Sequence, residues 1–457
     1  MLNIGQLEAI CGAKGVVAEA SALEAYRIDG IKPQAAVLPA SLQEAAEVVR
    51  LANAEKFPLA VLGGGSLASM GGSLSGAEVV LCTKRLDKVI DMDVENLTVT
   101  AQAGVRFGDL QDLLSGLENR CFFPQGELEK QAEYMCSSRE YKGSYVPLDP
   151  PMASTATLGG AVAGGVTGPL RLRHGLPRDV LLGVRFVSPT GEIVGMGGKV
   201  VKNVSGYDVS KLMIGSLGCL GILGEMTIRL LPLPEVSGGL LIGFGSLDKA
   251  VAFARAVVAS KLLPSALEVC NAAALAAGRK DAPAGSWFAA VGQAGFSEDV
   301  AREQSDLLAL ARDQGGAAQV LDGAAAAAFW AAFGAAPLRG SALRLKAVFR
   351  LGAFAEFLAA ADKLDGGALV TCSAGCGAAL VHLPAGEPAA LAAATAALRA
   401  KAVELGGALT LQAGSPELKA ALDAWGPARP DWGLMMEIKR QLDPNRVLNP
   451  GRFVGGL

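Results

Sequence analysis

The sequence predicts an α+β protein of two or three domains, and three observations indicate it. The chain has 457 residues, which is more than one hydrophobic core normally supports. Residues 36–66 follow a strand, helix, strand pattern, whereas the part beyond residue 234 mixes alanine-rich helices with strands. Prolines 232 and 234 separate these parts, because proline interrupts the hydrogen bonding of helices and strands. We therefore expect one domain boundary near residue 234.

Local patterns place the elements of the first part in order. After an extended segment at residues 36–39, Ser41 and Glu44 form a capping-box pattern, and apolar residues then recur at helical spacing. Residues 118–151 are polar and irregular, which predicts a long loop of the kind that often contacts ligands or partners. Further strands are expected at 57–62, 79–82, 88–91, 97–101, 180–187, 192–194 and 227–231, and a helix at 107–117.

The second part shows the same mixture. We expect strands at 239–244, 343–351 and 377–382, and an alanine-rich helix at 250–260. A last helix starts at Trp432, and the chain closes with two Asn- and Pro-containing turns at 442–445 and 448–451.

Composition excludes several classes of function. The formal net charge is −3, and nucleic-acid binding needs a concentrated positive field. No secretory leader and no uninterrupted apolar stretch of membrane-spanning length is visible. The sequence therefore predicts a cytoplasmic protein without a transmembrane segment, held at the inner membrane only if its partners bring it there.

Cysteines and histidines limit the chemistry further. The eight cysteines are scattered without a CxxC pair, so we expect reduced thiols and no iron–sulfur cluster. His174 and His382 are the only histidines. A histidine-based metal site or a Ser-His-Asp triad would use most of that supply, and no metal is expected.

Two glycine clusters carry the strongest functional signal. Gly63, Gly64 and Gly65 end an apolar run, and a second cluster, residues 157–165, follows about a hundred residues later. Glycines let backbone N–H groups approach a ligand closely, and converging N–H groups suit a pyrophosphate. The pattern predicts one extended ligand, of the length of a dinucleotide, touched at both clusters.

Five ordered motifs resemble the FAD-binding domain of the vanillyl-alcohol oxidase / para-cresol methylhydroxylase flavoproteins. They are residues 63–65, 156–165, 202–208, 218–225 and 442–451. Within that family, residues 196–208 are most similar to the FAD-binding subunits of bacterial glycolate oxidases. The resemblance implies an α+β fold with a two-subdomain FAD-binding domain at 1–234, a cap or substrate domain at 235–414, and a C-terminal segment, 415–457, that returns to the first domain.

The resemblance also implies a role for each matching position. The pyrophosphate would be held by Gly63, Gly64, Gly65, Ser66 and Leu67. The flavin would be lined by Ala156, Thr157, Gly159, Gly160 and Ala163. The adenine and ring side would be closed by Gly206, Tyr207, Asp208, Gly221 and Ile222, and Asn449 lies in the implied clamp at 448–451. Read without the resemblance, Gly159 and Gly160 also fit close helix–strand packing, and 448–451 also fits an ordinary turn.

Departures from the family pattern carry information. Relatives with covalent flavin use a histidine or cysteine beside the cofactor, and Ser66 and Leu67 provide neither, so FAD should be non-covalent unless Cys136 or His174 reaches it. His382 is the only histidine beyond Pro234, so the histidine-rich metal and base site of related 2-hydroxy-acid oxidases cannot be assembled in the usual way. About twenty residues, 127–146, are expected as an insertion.

Candidate catalytic residues are few. Arg344, Lys346 and Arg350 lie at even spacing on one predicted strand, so they could grip a substrate carboxylate, arginine in bidentate fashion. A solvated sheet face is the alternative. His174 could serve as a base or as a hydrogen-bond donor to flavin, or it could position backbone in a loop. His382 alternates within a strand and fits a cap-domain packing residue.

The resemblance implies a FAD-binding subunit of a 2-hydroxy-acid dehydrogenase complex, of the glycolate/D-lactate type. Its partners would be a homologous catalytic flavoprotein subunit and an iron–sulfur subunit, and it would relay electrons or support the oxidation. A self-sufficient FAD-dependent D-2-hydroxy-acid dehydrogenase and a non-catalytic scaffold are the alternatives.

Overall fold

The computed structural model describes residues 2–117, 121–124, 138–199, 208–279, 281–335, 341–364 and 367–457. Its architecture comprises two small sheet-based subdomains that pack together, a large cap built on one sheet, and a C-terminal segment that crosses back to the first subdomain.

The first subdomain is a four-stranded sheet with strand order β1-β2-β4-β3. Its elements are α1 Ile4–Cys11, β1 Val16–Val17, β2 Ala35–Val37, α2 Leu42–Glu55, β3 Leu59–Leu62 and β4 Val79–Cys82. Glu44 N donates to Ser41 Oγ at 3.1 Å, and the Glu44 carboxylate accepts from Ala40 N at 2.8 Å, so the predicted helix start is confirmed. Strands β3 and β4 are parallel, so their carboxyl ends lie at one edge of the sheet.

The second subdomain is an antiparallel sheet of five strands with the order β11-β10-β12-β6-β5. Its strands are β5 Val89–Asp93, β6 Thr98–Gln102, β10 Leu181–Val187, β11 Ile193–Gly197 and β12 Ile222–Arg229. Its helices are α3 Phe107–Ser115, α4 Leu158–Gly164, α5 Arg171–His174, α6 Pro177–Val180 and α7 Ser210–Met213.

The predicted irregular segment contains short strands. Strand β7 (Cys121–Pro124) pairs with β8 (Ser138–Tyr141), and β9 (Ser144–Tyr145) pairs with β13 (Leu231–Pro232). Residues 127–137 of the expected insertion lie outside the described residues.

The cap is built on an eight-stranded sheet with the order β17-β14-β16-β15-β19-β20-β18-β21 and antiparallel neighbours. Its strands are β14 Val236–Phe244, β15 Ala266–Asn271, β16 Trp287–Gly295, β17 Ala317–Leu321, β18 Ser341–Val348, β19 Leu369–Ser373, β20 Ala378–Pro384 and β21 Ala408–Gly414. Its helices are α8 Leu247–Ala259, α9 Ala272–Gly278, α10 Ser297–Asp313, α11 Gly323–Ala335, α12 Phe354–Asp362 and α13 Pro388–Glu404.

The two faces of the cap sheet are covered differently. Helices α8, α10, α12 and α13 bury one face in the largest apolar cluster of the described chain. Helices α9 and α11 cover only the β17–β15 end of the other face. Part of the remaining second face meets the first domain, because α5 packs against β15, whereas Leu380 on β20 is 40% exposed.

The C-terminal segment contains α14 (Pro416–Leu422) and α15 (Trp432–Leu442), and it ends on the first subdomain. Leu59 N donates to Val447 O at 2.8 Å, and Asn449 N donates to Leu59 O at 2.8 Å. Residues 447–449 therefore extend the sheet beside β3, next to the glycines that follow it. No helix in the described ranges has the length and apolar character needed to cross a membrane.

Candidate functional site

A cleft opens where β3 ends, and the two predicted glycine clusters form opposite sides of it. The space within it, including the part that is open to solvent, is about 740 Å³. Nine of the predicted cofactor residues line it: Gly63, Gly64, Gly65, Ser66, Leu67, Gly159, Gly160, Ala163 and Gly221. The structure thus brings together segments that lie far apart in the sequence.

The glycine loop, residues 63–67, has a shape that side chains would prevent. A Cβ on Gly64 would collide with the carbonyl oxygen of Thr155. Gly65 has a φ of +87°, a conformation that other residues rarely adopt. The loop therefore leaves a cradle of bare backbone facing the cleft, as a dinucleotide pyrophosphate requires.

Helix α4 forms the facing wall. Thr157 caps it, since Gly160 N donates to Thr157 Oγ1 at 3.2 Å. A Cβ on Gly159 would lie 2.7 Å from the Ala103 Cβ. This glycine therefore packs closely against Ala103 and also lines the cleft. Ala156 and Thr157 are buried and support the wall from behind.

Asn449 joins three segments around the cleft without lining it. The residue is 2% exposed. Its Oδ1 accepts from Val61 N at 2.9 Å, and its Nδ2 donates to Leu217 O at 2.7 Å. The C-terminal turn is thus a clamp on the walls of the cleft. Ile222 is likewise buried, at the start of β12.

The third predicted motif is only partly visible. Gly206 and Tyr207 lie outside the described residues. Asp208 is exposed, and its carboxylate accepts from the Ser210 hydroxyl. A ligand role for these three positions stays a prediction.

Sequence reasoning missed Arg452, which also lines the cleft. Its side chain is 6% exposed, and its Nη2 lies 2.9 Å from Asp29 Oδ2. Lys419 Nζ contacts the other Asp29 oxygen at 2.7 Å. Local sequence holds no signal for this triad, because Asp29 lies 390 positions from Lys419 and 423 positions from Arg452. Sequence reasoning also missed that Leu217 and Gly218 line the cleft. Gly218 begins the predicted motif at 218–225, and Leu217 directly precedes it.

His174 lies at the junction of the two domains. Its Nε2 is 3.1 Å from the Tyr145 hydroxyl. Burial, helped by the charges of Arg173 and Arg229, lowers the pKa of His174 to about 4. The imidazole is therefore neutral at physiological pH and is a weak base.

Arg344 and Lys346 lie on the partly uncovered face of the cap sheet, while apolar Leu343, Leu345 and Ala347 fill the opposite face. The predicted strand ends earlier than expected, at Val348. Arg350 lies beyond it, and its Nε donates to Leu405 O at 3.2 Å, after the end of α13. The structure groups Arg344 with Lys346 and gives Arg350 a different environment.

Neither of the grouped cations has an acidic partner among the described residues. No carboxylate in the described ranges forms an ion pair with Arg344, Lys346 or the neighbouring Arg171. Burial lowers the pKa of Arg344. Burial, and then the Arg171 charge, lower the pKa of Lys346. Half-buried cations without a counter-ion favour binding of an anion.

The eight cap strands contain only four acidic, basic or histidine side chains: Glu268, Arg344, Lys346 and His382. The strand register puts all four on one face. Glu268 lies opposite Ser373, which lies opposite Ala378 on β20. Leu380 and His382 are on the same face of β20 as Ala378, and they lie opposite Lys346 and Arg344. We call this the polar cap face. His382 is 3% exposed and its Nδ1 lies 3.4 Å from Ser341 Oγ, which agrees with a packing role in the cap.

Two family models match the chain in the order of its domains. The FAD binding domain matches residues 33–123 and 138–197. The C-terminal domain of FAD linked oxidases matches residues 233–349 and 370–453. The chain belongs to the FAD-linked oxidase family. It is accordingly a FAD-dependent oxidoreductase, and the backbone cradle of the cleft fits that cofactor.

Three relatives that are named for 2-hydroxy acids agree with this assignment. The chain is 28% identical to glycolate oxidase subunit GlcD of Bacillus subtilis, over 92% of this chain and 89% of that protein. It is 34% identical to glycolate oxidase subunit GlcE of Escherichia coli, over 42% of this chain and 47% of that protein. It is 33% identical to a D-lactate dehydrogenase of Anaerostipes hadrus, over 52% of this chain and 44% of that protein. The predicted likeness to glycolate oxidase subunits is confirmed.

Solved structures confirm the fold class. p-Cresol methylhydroxylase superposes with a TM-score of 0.71 at 17% identity, covering 98% of this chain and 95% of that one. 4-Ethylphenol oxidase from Gulosibacter chungangensis gives a TM-score of 0.69 at 16% identity, covering 98% and 96%. At such low identity these likenesses concern the fold, which is the predicted two-part FAD-binding domain with an α+β cap.

Proposed function

We propose that the chain oxidises a small 2-hydroxy acid of the glycolate/D-lactate type to the 2-oxo acid. The observation that carries this proposal is a group of cations that have no ion-pair partner among the described residues: Arg344 and Lys346 on the polar cap face and Arg171 on α5. A carboxylate supplies the negative charge that they lack, and it can accept hydrogen bonds from a guanidinium in bidentate fashion.

The polar cap face and the cleft belong to neighbouring parts of one interface. Helix α5, which follows the cleft wall α4, carries Arg171 towards Lys346. When bound in the cleft, FAD supplies the two-electron acceptor. The cations hold the substrate by its carboxylate and thereby orient the carbon that bears the hydroxyl group. Burial at the interface strengthens this electrostatic hold.

The names of the relatives support the substrate class. Glycolate and D-lactate are both 2-hydroxy acids, and they appear in the names of the glycolate oxidase subunits and of the D-lactate dehydrogenase. D-2-hydroxyglutarate dehydrogenase of Xanthomonas citri is a further relative, 33% identical over 47% of this chain and 40% of that protein.

FAD is proposed to be non-covalent. The residues that line the described cleft include no histidine and no cysteine. His174 is engaged with Tyr145, and Cys136 lies outside the described residues. Precipitation with acid should therefore release all of the flavin into the supernatant, whereas a covalent link would retain it in the pellet.

The substrate clamp is testable by equilibrium binding to the FAD-loaded chain. Titration with a 2-oxo acid, followed by the flavin difference spectrum, should show that Arg344→Gln and Lys346→Met each weaken binding by at least about tenfold, since a lost charge-assisted hydrogen bond costs about 1.5–3 kcal/mol. Arg350→Gln serves as the matched control, because its guanidinium contacts Leu405. Equal losses in all three variants would contradict the grouping of Arg344 with Lys346 and restore Arg350 to the clamp.

A second candidate is a subunit of a larger complex that relays electrons or supports oxidation. The likeness to both glycolate oxidase subunits favours it. Its partners would be a homologous catalytic flavoprotein subunit and an iron–sulfur subunit. In that case the chain would bind FAD but remain oxidised with substrate until the partners are added. A non-catalytic scaffold would acquire no flavin on reconstitution.

A further inference from the structure

We propose that Glu268 accepts the hydroxyl proton of the substrate, as the catalytic base of the reaction. This inference rests on the proposed function, since it needs a 2-hydroxy acid held by Arg344 and Lys346. Glu268 is the only acidic residue in the eight strands of the cap sheet, and it lies on the same face as those cations.

The order and register of the strands fix how far Glu268 lies from the two cations. Strands β15 and β18 are separated by β19 and β20, so the backbones that carry Glu268 and the cations lie about 14 Å apart at the usual strand spacing. The three residues share one face, and the register sets Glu268 level with Val348, two residues along β18 from Lys346 and four from Arg344. The long side chains of the two cations and the bound acid together span this distance. An acid held by its carboxylate at Arg344 and Lys346 presents its hydroxyl group towards Glu268.

The contacts of Glu268 leave one carboxylate oxygen available. The residue is 4% exposed, and its Oε1 accepts a hydrogen bond from the Ser373 hydroxyl on β19. Within the described chain, Oε2 has no hydrogen-bond partner. Ser373 therefore holds the side chain in place while the second oxygen is free to accept a proton.

The other ionisable groups at this interface are less suited to the role. Both oxygens of Asp149 are occupied, since they accept from Gly168 N and Leu170 N at 2.8 Å. His174 is engaged with Tyr145 and has a pKa of about 4, so it would be too weak a base at neutral pH.

The surroundings of Glu268 adjust its proton affinity. Burial raises its pKa to about 8, the Ser373 hydrogen bond opposes that rise, and the charge of Asp149 adds to it. The other titratable groups that interact with it are Cys270, Cys372 and Cys376, and the Arg171 charge acts on Cys376. A pKa near the working pH is the favourable range for a general base.

The proposed step balances in atoms and electrons. The C2–H bond breaks and its hydrogen leaves with two electrons, as hydride, to the oxidised flavin. The O–H bond breaks and its proton goes to Glu268 Oε2, while the oxygen electron pair forms the second C2–O bond. The products are the 2-oxo acid, the two-electron-reduced cofactor and a protonated Glu268.

The test is anaerobic flavin reduction by glycolate and by each enantiomer of lactate, measured in a stopped-flow instrument on the FAD-loaded chain. We expect Glu268→Gln to slow reduction by at least about 100-fold, the usual contribution of a general base. Its affinity for the 2-oxo acid should stay within about threefold of the wild-type value, because the clamp is intact. In the wild type the rate should rise as pH rises through about 8 and level off above it, as the carboxylate forms.

Controls separate catalysis from structure. Glu303→Gln changes another buried glutamate of the cap, whose Oε1 accepts from Leu263 N at 3.0 Å, and it should reduce at the wild-type rate. If Glu268→Gln does not retain FAD, the test is made with Glu268→Asp, which keeps a carboxylate base but moves its oxygen atoms. A slower reduction with a shifted pH profile supports the proposal. An unchanged rate and an unchanged profile contradict it.

The flavin reduction experiment separates the role of Glu268 from the proposed function of the chain. Rapid reduction of Glu268→Gln, with the wild-type pH profile, would overturn the role of Glu268 alone. A wild-type chain that binds FAD and stays oxidised with every acid would overturn the proposed function, and this inference with it.

Discussion

Single glycines determine the shape of the cofactor cleft. Gly64 passes so close to the Thr155 carbonyl that a methyl group has no space, and Gly65 adopts a positive φ. Overpacking of this kind usually costs about 1–3 kcal/mol. The affinity for FAD therefore depends on two positions that carry no side chain.

We expect Gly64→Ala to reduce the FAD content of the purified chain and to lower its melting temperature. The methyl group must push the glycine loop away from Thr155, at a cost of about 1–3 kcal/mol. The measurement is the flavin-to-protein absorbance ratio together with thermal unfolding. Gly433→Ala, in α15 with nothing within 4 Å of the added carbon, is the control and should bind FAD normally. Full flavin content in Gly64→Ala would contradict the cradle.

Asn449 is expected to be the most sensitive residue of the C-terminal turn. Asn449→Ala removes bonds to Val61 N and Leu217 O and places alanine at a φ of +46°, which asparagine tolerates better. We expect a loss of about 2 kcal/mol or more in the free energy of unfolding, and faster release of FAD. The exposed Asn445, bonded to Asn53, provides the control Asn445→Ala, for which both quantities should change little.

At the scale of elements, α5 and the loop before it connect the cleft to the polar cap face. Asp149 fixes that loop through Gly168 N and Leu170 N, and α5 then rests on β15. The position of Arg171 relative to Lys346 thus depends on one buried carboxylate. Burial raises the pKa of Asp149 to about 7, although the backbone hydrogen bonds oppose the rise.

The interface between α5 and β15 should make stability depend on pH. The pKa of Glu268 is raised from 4.5 to about 8 in the folded chain. The folded state therefore holds a proton that the unfolded state has lost, and this contribution is full below about pH 4.5 and disappears as pH rises through about 8. We expect Glu268→Gln to flatten the decline of the melting temperature between about pH 5 and about pH 8. An unchanged decline, equal to that of the exposed-site variant Glu356→Gln, would contradict this burial.

Local sequence predicted most elements, and its errors have physical causes. Ser41 and Glu44 specify a helix start through neighbouring atoms, so the pattern is readable. Even spacing at Arg344, Lys346 and Arg350 suggested one strand through all three, but Phe349 N donates to Gly377 O and the chain turns away. That turn depends on a distant segment, which no local pattern records.

Local sequence likewise predicted some residues of the candidate site and missed others. Glycine loops carry their own signal, and most of the predicted lining residues do line the cleft. Glu268 was not identified, because a single glutamate in an apolar strand becomes informative only when the register places it on one face with Arg344 and Lys346. Arg452 was missed because its partner, Asp29, lies 423 positions away.

At the scale of the whole molecule, one buried network ties three regions together. Asp29 in the first subdomain binds Lys419 of α14 and Arg452 of the C-terminal segment, and all three side chains are at most 6% exposed. Arg452 also lines the cleft, so domain assembly and cofactor binding share these residues.

Asp29→Asn should destabilise the whole chain, because it leaves two cations buried without a full counter-charge. Removing one partner of a buried pair costs about 3–5 kcal/mol. Urea unfolding should show an earlier midpoint, and FAD should protect the variant less than the wild type. Asp431→Asn, which alters an exposed pair with Arg429, should leave the midpoint nearly unchanged. Similar midpoints for both variants would show that the network contributes little.

We propose that the cap cations that have no ion-pair partner in the described part of the chain hold a 2-hydroxy acid against bound FAD. The most direct measurement is anaerobic addition of glycolate or D-lactate to the FAD-loaded chain while the visible flavin spectrum is recorded. We expect bleaching in the wild type and in Arg350→Gln, and none at the same acid concentration in the Arg344→Gln, Lys346→Met double variant. A wild-type flavin that stays oxidised, or a double variant that bleaches as readily as the wild type, would contradict it.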